Sequence, residues 1–176
     1  MLTGGGWWPG GDLEWVGDKT LVGGLYGLRG RDWLARLVVE VRIGRTDEPY
    51  LVPAENQFGR SNRFDATYVG GELGRVLELS DGQALDLFFG IGADVVVPFR
   101  DEDVSLVGWN VNLGAGYRCF LGRYRQYVLG ADLRREWVGG RNEEPYEMNG
   151  SAWSLRVGLG YAFVGSRNRT LDGLGK

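Results

Sequence analysis

From Trp153 to Phe163 the chain alternates between two chemically different faces: Trp153, Leu155, Val157, Leu159, Tyr161 and Phe163 on one parity, Ser154, Arg156, Gly158, Gly160 and Ala162 on the other. Side chains of a strand point to opposite sides with a period of two, so the stretch predicts a strand with one apolar face. That face is aromatic at its ends and aliphatic between, as suits a strand crossing a bilayer. The same alternation recurs along the chain. It predicts strands over 6–16, 20–29 and 32–46, the third setting Trp33, Leu37, Val39, Val41 and Ile43 against Arg36, Glu40 and Arg42. A fourth starts at Arg63 with Phe64, Ala66 and Tyr68 on the apolar face. A bulge at Gly70 and Gly71 is expected to switch its parity, turning Leu73, Leu77 and Leu79 outward and Glu72 inward. The fifth sets Leu85, Leu87, Phe89, Ile91, Val95 and Phe99 against Asp86 and Asp94, and the sixth Trp109, Val111 and Leu113 against Asn110, Asn112 and Arg118. The seventh opposes Tyr127, Leu129, Leu133 and Trp137 to Asp132, Arg134 and Glu136.

Loop lengths supply the topology. The stretch 47–62, with its prolines, glycine and asparagines, and the polar stretch 139–151 read as long loops, whereas Ser80 to Gln83 and Leu121 to Arg123 read as tight turns. Long connections fall at one end and short ones at the other. The expectation is an all-β fold, a closed eight-stranded antiparallel up-and-down transmembrane β-barrel.

Alternation alone does not say which face is inside. Glycine decides it, because Gly44, Gly90, Gly92, Gly114, Gly116, Gly130, Gly158 and Gly160 share the charged parity. A water-exposed strand face gains nothing from glycine, but a narrow lumen needs the room. The interior is therefore expected to hold Glu14, Arg36, Glu40, Arg42, Asp86, Asp94, Arg118, Asp132, Arg134, Glu136 and Arg156 as a salt-bridged plug. Trp7, Trp15, Trp33, Phe64, Phe99, Trp109, Tyr127, Trp137, Trp153, Tyr161 and Phe163 are expected outside, in two aromatic girdles.

Composition narrows the picture further. With 176 residues the chain makes one domain: a disordered start over 1–5, a barrel over 6–163, and a flexible tail or linker stub over 164–176. A net charge of -3 and the lack of a basic patch interleaved with aromatics argue against a nucleic-acid partner. The single cysteine, Cys119, excludes an intramolecular disulfide. The start of the chain lacks the basic and apolar regions of a signal peptide, so an exported protein would here be in mature form. No cofactor or metal site is expected, since Asp101, Glu102, Asp103 and Glu143, Glu144, Glu147 lack the spacing of a calcium loop.

The stretch Arg156, Val157, Gly158, Leu159, Gly160, Tyr161, Ala162, Phe163 resembles the terminal assembly signal of small outer-membrane barrels of the OmpA and OmpX type. Trp7, Trp8, Pro9, Gly10, Gly11, Asp12, Leu13, Glu14 and Trp15 are similar to the first strand of that family. The resemblance implies the bacterial outer membrane, with Arg156, Gly158, Tyr161 and Phe163 read by the outer-membrane barrel assembly machinery. It also implies contact with membrane lipids and lipopolysaccharide, for which Arg45, Arg63 and Arg135 are candidate phosphate partners. Some such barrels act on lipid A with a Ser, a His and an acidic residue. This chain has no histidine, and no enzymatic activity is expected of it. A structural or anchoring role, with a surface ligand or partner at the long loops, is the expected function. A soluble lipocalin-like carrier of apolar ligands and a narrow low-conductance pore remain as alternatives.

Overall fold

The computed structural model describes residues 1–54, 57–97, 106–140 and 149–163. Eight strands, β1 (Leu2–Gly10), β2 (Lys19–Arg29), β3 (Trp33–Ala54), β4 (Gln57–Ser80), β5 (Gln83–Val97), β6 (Leu106–Leu121), β7 (Tyr127–Gly140) and β8 (Gly150–Tyr161), form a closed barrel in chain order. Every neighbouring pair is antiparallel. The seam is the ladder from Leu2↔Leu159 to Gly10↔Ser151. One end carries the connections β2–β3, β4–β5 and β6–β7; the other carries the longer connections β1–β2, β5–β6 and β7–β8, together with the β3–β4 hairpin.

The first strand lies earlier than its sequence pattern suggests. β1 begins at Leu2, so the expected disordered start is largely strand, and Gly11–Val16 is a short 3-10 helix, α1. The glycines of β1 belong to the seam, where a Cβ at Gly5 would fall 1.8 Å from the Leu155 carbonyl oxygen. Pro9 sits where the strand pairs with β8 alone, on the free edge that tolerates a missing donor.

The expected long loop over 47–62 is instead mostly strand. β3 and β4 continue past the barrel as a two-stranded hairpin paired from Tyr50↔Ser61 to Ala54↔Gln57. Pro49 falls in the register shift between Arg45 and Tyr50, which marks an irregularity in the ladder without ending it, and Pro53 pairs with Phe58 within the hairpin. Nine residues of strand, 46–54, reach roughly 25–30 Å at about 3.3 Å per residue.

The bulge expected at Gly70 and Gly71 does not exist. β4 keeps register with β3 from Arg63 to Arg75 and with β5 from Asp65 to Glu78, so Phe64, Ala66 and Tyr68 share the inward parity of Glu72. The lumen is layered, and this is why apolar and charged residues can occupy one parity. At the long-connection end Trp7, Leu13, Val16, Leu21, Phe64, Ala66, Val96, Val138 and Ala152 form an apolar seal. Charged residues fill the middle, and Leu34, Val76, Ala84 and Phe88 cluster towards the turn end.

Outside, the barrel is apolar. Leu37, Leu73, Phe89, Ile91, Leu113, Val157 and Leu159 each expose more than half of their surface, Leu73 as much as 68%. A continuous exposed belt of this kind is the signature of a surface meant for hydrocarbon. The shortest strand, β1, has 9 residues, about what a tilted strand needs to cross the core of a bilayer.

Candidate functional site

The middle of the lumen is one ion network. Arg134 lies against Glu40, Glu72 and Glu136, the last at 2.7 Å. Arg156 reaches Glu40 at 2.9 Å, Glu72 at 3.1 Å and Asp132 at 3.3 Å. Arg42 bridges Asp94 at 2.8 Å and Glu136 at 2.7 Å, and Arg36 meets Glu72 at 2.7 Å. Towards the turn end Arg118 pairs with Asp132, and Arg29, partly in water, holds Asp86 at 2.7 Å. Six guanidinium groups thus face six carboxylates, and each carboxylate touches at least one of them. Ions taken out of water persist when paired in this way.

Neutral side chains complete the network. Ser154 donates to Glu136 at 2.7 Å, Asn110 donates to Asp94 at 2.7 Å and Glu136 at 2.9 Å, and Asn112 donates to the Tyr68 hydroxyl at 2.9 Å. The Arg36 guanidinium stacks 4.3 Å from the Phe88 ring centre, and Arg134 5.0 Å from that of Tyr68. Arg36 has no well-aligned hydrogen bond despite its short approach to Glu72, so that contact is ionic. Glycine makes room for all this. A Cβ at Gly90 would lie 2.8 Å from Glu72 Cγ, at Gly116 1.9 Å from an Asp132 oxygen, and at Gly130 2.7 Å from an Arg118 nitrogen.

Of the residues expected inside, Arg36, Glu40, Arg42, Asp86, Asp94, Arg118, Asp132, Arg134, Glu136 and Arg156 meet in this network. Glu14 does not. It is exposed on α1, because the chain turns out of β1 at Gly11, where φ is 66°. Glu72, Arg29, Tyr68 and Asn110 belong to the network as well. Tyr68 escapes a reading by polarity because its ring resembles girdle material, and Arg29 because the glycines of β2 blur the alternation.

The aromatic residues divide. Trp109, Trp137 and Trp153 stand outside near the long-connection end, joined by Trp8, the cross-strand partner of Trp153. Trp33, Tyr127, Tyr161 and Phe163 stand outside at the turn end, where Tyr161 packs edge-on against Tyr127 at 5.9 Å and Phe163 at 4.9 Å. Trp7 and Phe64 are corrections to the expected girdles. Both are buried in the seal, stacked with ring centres 6.0 Å apart, since β1 and β4 turn these parities inward. Trp15 lies on α1, partly buried against the seal. Phe99, the acidic stretches at 101–103 and 143–147, and the tail from 164 lie outside the described residues. In the expected assembly signal, Arg156 and Gly158 face the lumen, while Tyr161 and Phe163 face out.

Of the expected phosphate partners, Arg63 is paired with Asp65. Arg135 points outward with its guanidinium 5.2 Å from the Trp153 ring centre and donates to the Ser151 hydroxyl. Beneath the seal, a cavity of about 10 Å³ lined by Trp7, Leu13, Arg42, Phe64 and Asp94 has room for roughly one water molecule. The lumen has an ionic middle where a lipocalin-like carrier would have an apolar chamber.

No family model and no curated protein matches the chain. Among solved structures, that of Ail, the attachment invasion locus protein of Yersinia pestis, is similar over 92% of this chain and 96% of that one, with 14% identity and a TM-score of 0.44. The assignment of a closed eight-stranded antiparallel barrel rests on this chain's own ladders.

Proposed function

We propose that this chain is an integral barrel of a bacterial outer membrane that anchors and presents its long-connection end at the surface. One observation carries the reading: the barrel is apolar outside and ionic inside, the inverse of a protein built for water. The β3–β4 hairpin, standing clear of the barrel, is the element that a surface ligand or protein partner would meet. Arg45 and Arg135 would contact lipopolysaccharide phosphates at the rim. Tyr161 and Phe163 would be read by the assembly machinery as the barrel is inserted. The role is structural and interactive, not enzymatic, because every lumen carboxylate is held by guanidinium and the chain lacks histidine.

The test is tryptophan fluorescence of the protein refolded into bilayers with quenchers at graded lipid depths. Trp8, Trp109, Trp137, Trp153 and Trp33 should be quenched best by labels near the interfaces, while Trp7 stays protected. Indifference to lipid-borne quenchers would sink the membrane reading.

A further inference from the structure

The connection from β1 to β2 is folded into the barrel mouth. Its helix α1 sends Leu13 and Val16 down into the seal, both no more than 1% exposed. Just beyond it, Lys19, 3% exposed, turns its ammonium back beneath the helix. Nζ donates to the carbonyl oxygens of Val16, Gly17 at 2.8 Å and Asp18 at 3.2 Å, and to that of Arg45 on β3 at 2.8 Å. The face of the Phe64 ring lies 5.8 Å away. Three of these oxygens belong to the exit of α1, where carbonyls lack intrahelical partners and carry the negative end of the helix dipole. The fourth belongs to the barrel wall.

The seat is cut to fit. A Cβ at Gly44 would lie 2.6 Å from Lys19 Cδ, and one at Gly150 2.7 Å from Leu13 Cγ. Glycines also flank the helix: nothing lies within 4 Å of a Cβ placed at Gly10 or Gly11, and Gly17 holds a φ of 71°. A plug held only by apolar packing would not need a buried cation. This one has a cation where the helix exit meets the wall.

We propose that α1 is a lid over the long-connection end of the lumen and that Lys19 is the latch tying it to β3. Without the ammonium, the carbonyl oxygens of Val16 and Gly17, buried with it, would lose that donor. They regain hydration only if the lid lifts. The closed lid keeps water at that end away from Trp7, Arg42 and Asp94, whereas the turn end already meets water at Arg29. The lid thus sets whether the ionic layer is reachable from one side or from two.

The experiment uses the refolded chain with Cys119→Ser and a reporter, Val16→Cys, exposed to a membrane-impermeant maleimide. With Lys19 present, the buried reporter thiol should react slowly. Lys19→Met keeps the stem and removes the charge, and should speed labelling by roughly tenfold or more, as expected for local opening. Gly150→Ala, which crowds Leu13 without touching the latch, should also speed labelling. In both, the temperature at which the folded barrel loses its compact gel mobility should stay unchanged. Labelling no faster in either variant than with the reporter alone would overturn the proposal. A rise seen only together with a lowered barrel unfolding temperature would do so too, since α1 would then be an ordinary part of the barrel. If Lys19→Met does not refold, Lys19→Gln takes its place as the test of the latch, while Gly150→Ala tests the lid.

Discussion

The seal and the ion network occupy the same lumen, on the same strands, at different heights, and they are held in opposite ways. β4 contributes Phe64 and Ala66 to the seal and Glu72 to the network, all on one parity. β5 gives Val96 to the seal and Asp94 to the network, and β7 gives Val138 and then Glu136. In the seal, stability comes from removing apolar surface from water, and any residue of the right size serves. In the network each group depends on named partners across the barrel, since a charge left unpaired there loses both water and counter-ion. Polarity therefore does not tell inside from outside in this protein. Parity does, and the height in the lumen decides which kind of residue that parity carries.

The largest expected effect is on the network. Arg134→Met leaves Glu40, Glu72 and Glu136 without their shared cation and should lower stability by about 3–5 kcal/mol, read from urea titration of the protein in vesicles. In the seal, Phe64→Leu keeps an apolar side chain of similar bulk against Trp7 and should cost only about 1 kcal/mol in the same titration. If the two losses came out equal, the contrast between specific pairing and generic packing would fail. The smallest effect sharpens the comparison by placing the same chemistry in water. Arg75 and Asp32 pair at 2.8 Å on the exposed turn rim, and Arg75→Ala should cost at most about 0.5 kcal/mol, a difference that also shrinks with added salt.

Much of this is legible in the chain. The third, fifth, sixth, seventh and eighth strands carry clear alternation, and their inward charged residues are the ones that meet in the lumen. The tight turns at 80–83 and 121–123 are visible in the placing of Gly and Asp, and with them the up-and-down order, whereas the long loop read at 47–62 is strand. The reading fails where apolar residues face inward, at Trp7, Phe64 and Tyr68. A bulge at Gly70 is needed to reconcile Phe64 with Glu72 only on the assumption that greasy side chains always point outward. It also fails at Pro49 and Pro53, which read as loop markers. Past the barrel each hairpin strand has a free edge, and a ladder with a free edge accommodates proline.

The sequence by itself determined the period of two, the number of strands and the sign of most faces, because these depend on neighbours along the chain. Only the tertiary structure decided which residues meet across the lumen. Arg134 and Glu40 lie 94 positions apart, Arg156 and Glu40 116, and no local pattern encodes a pairing that exists only once the barrel closes. The lid is only partly of this kind. Gly11–Val16 reads as the end of a strand until Lys19, Arg45 and Gly150 come together around it; three of the oxygens that hold the ammonium lie within three residues of Lys19, and only the Arg45 carbonyl is brought to it across the fold, by the pairing of β2 with β3.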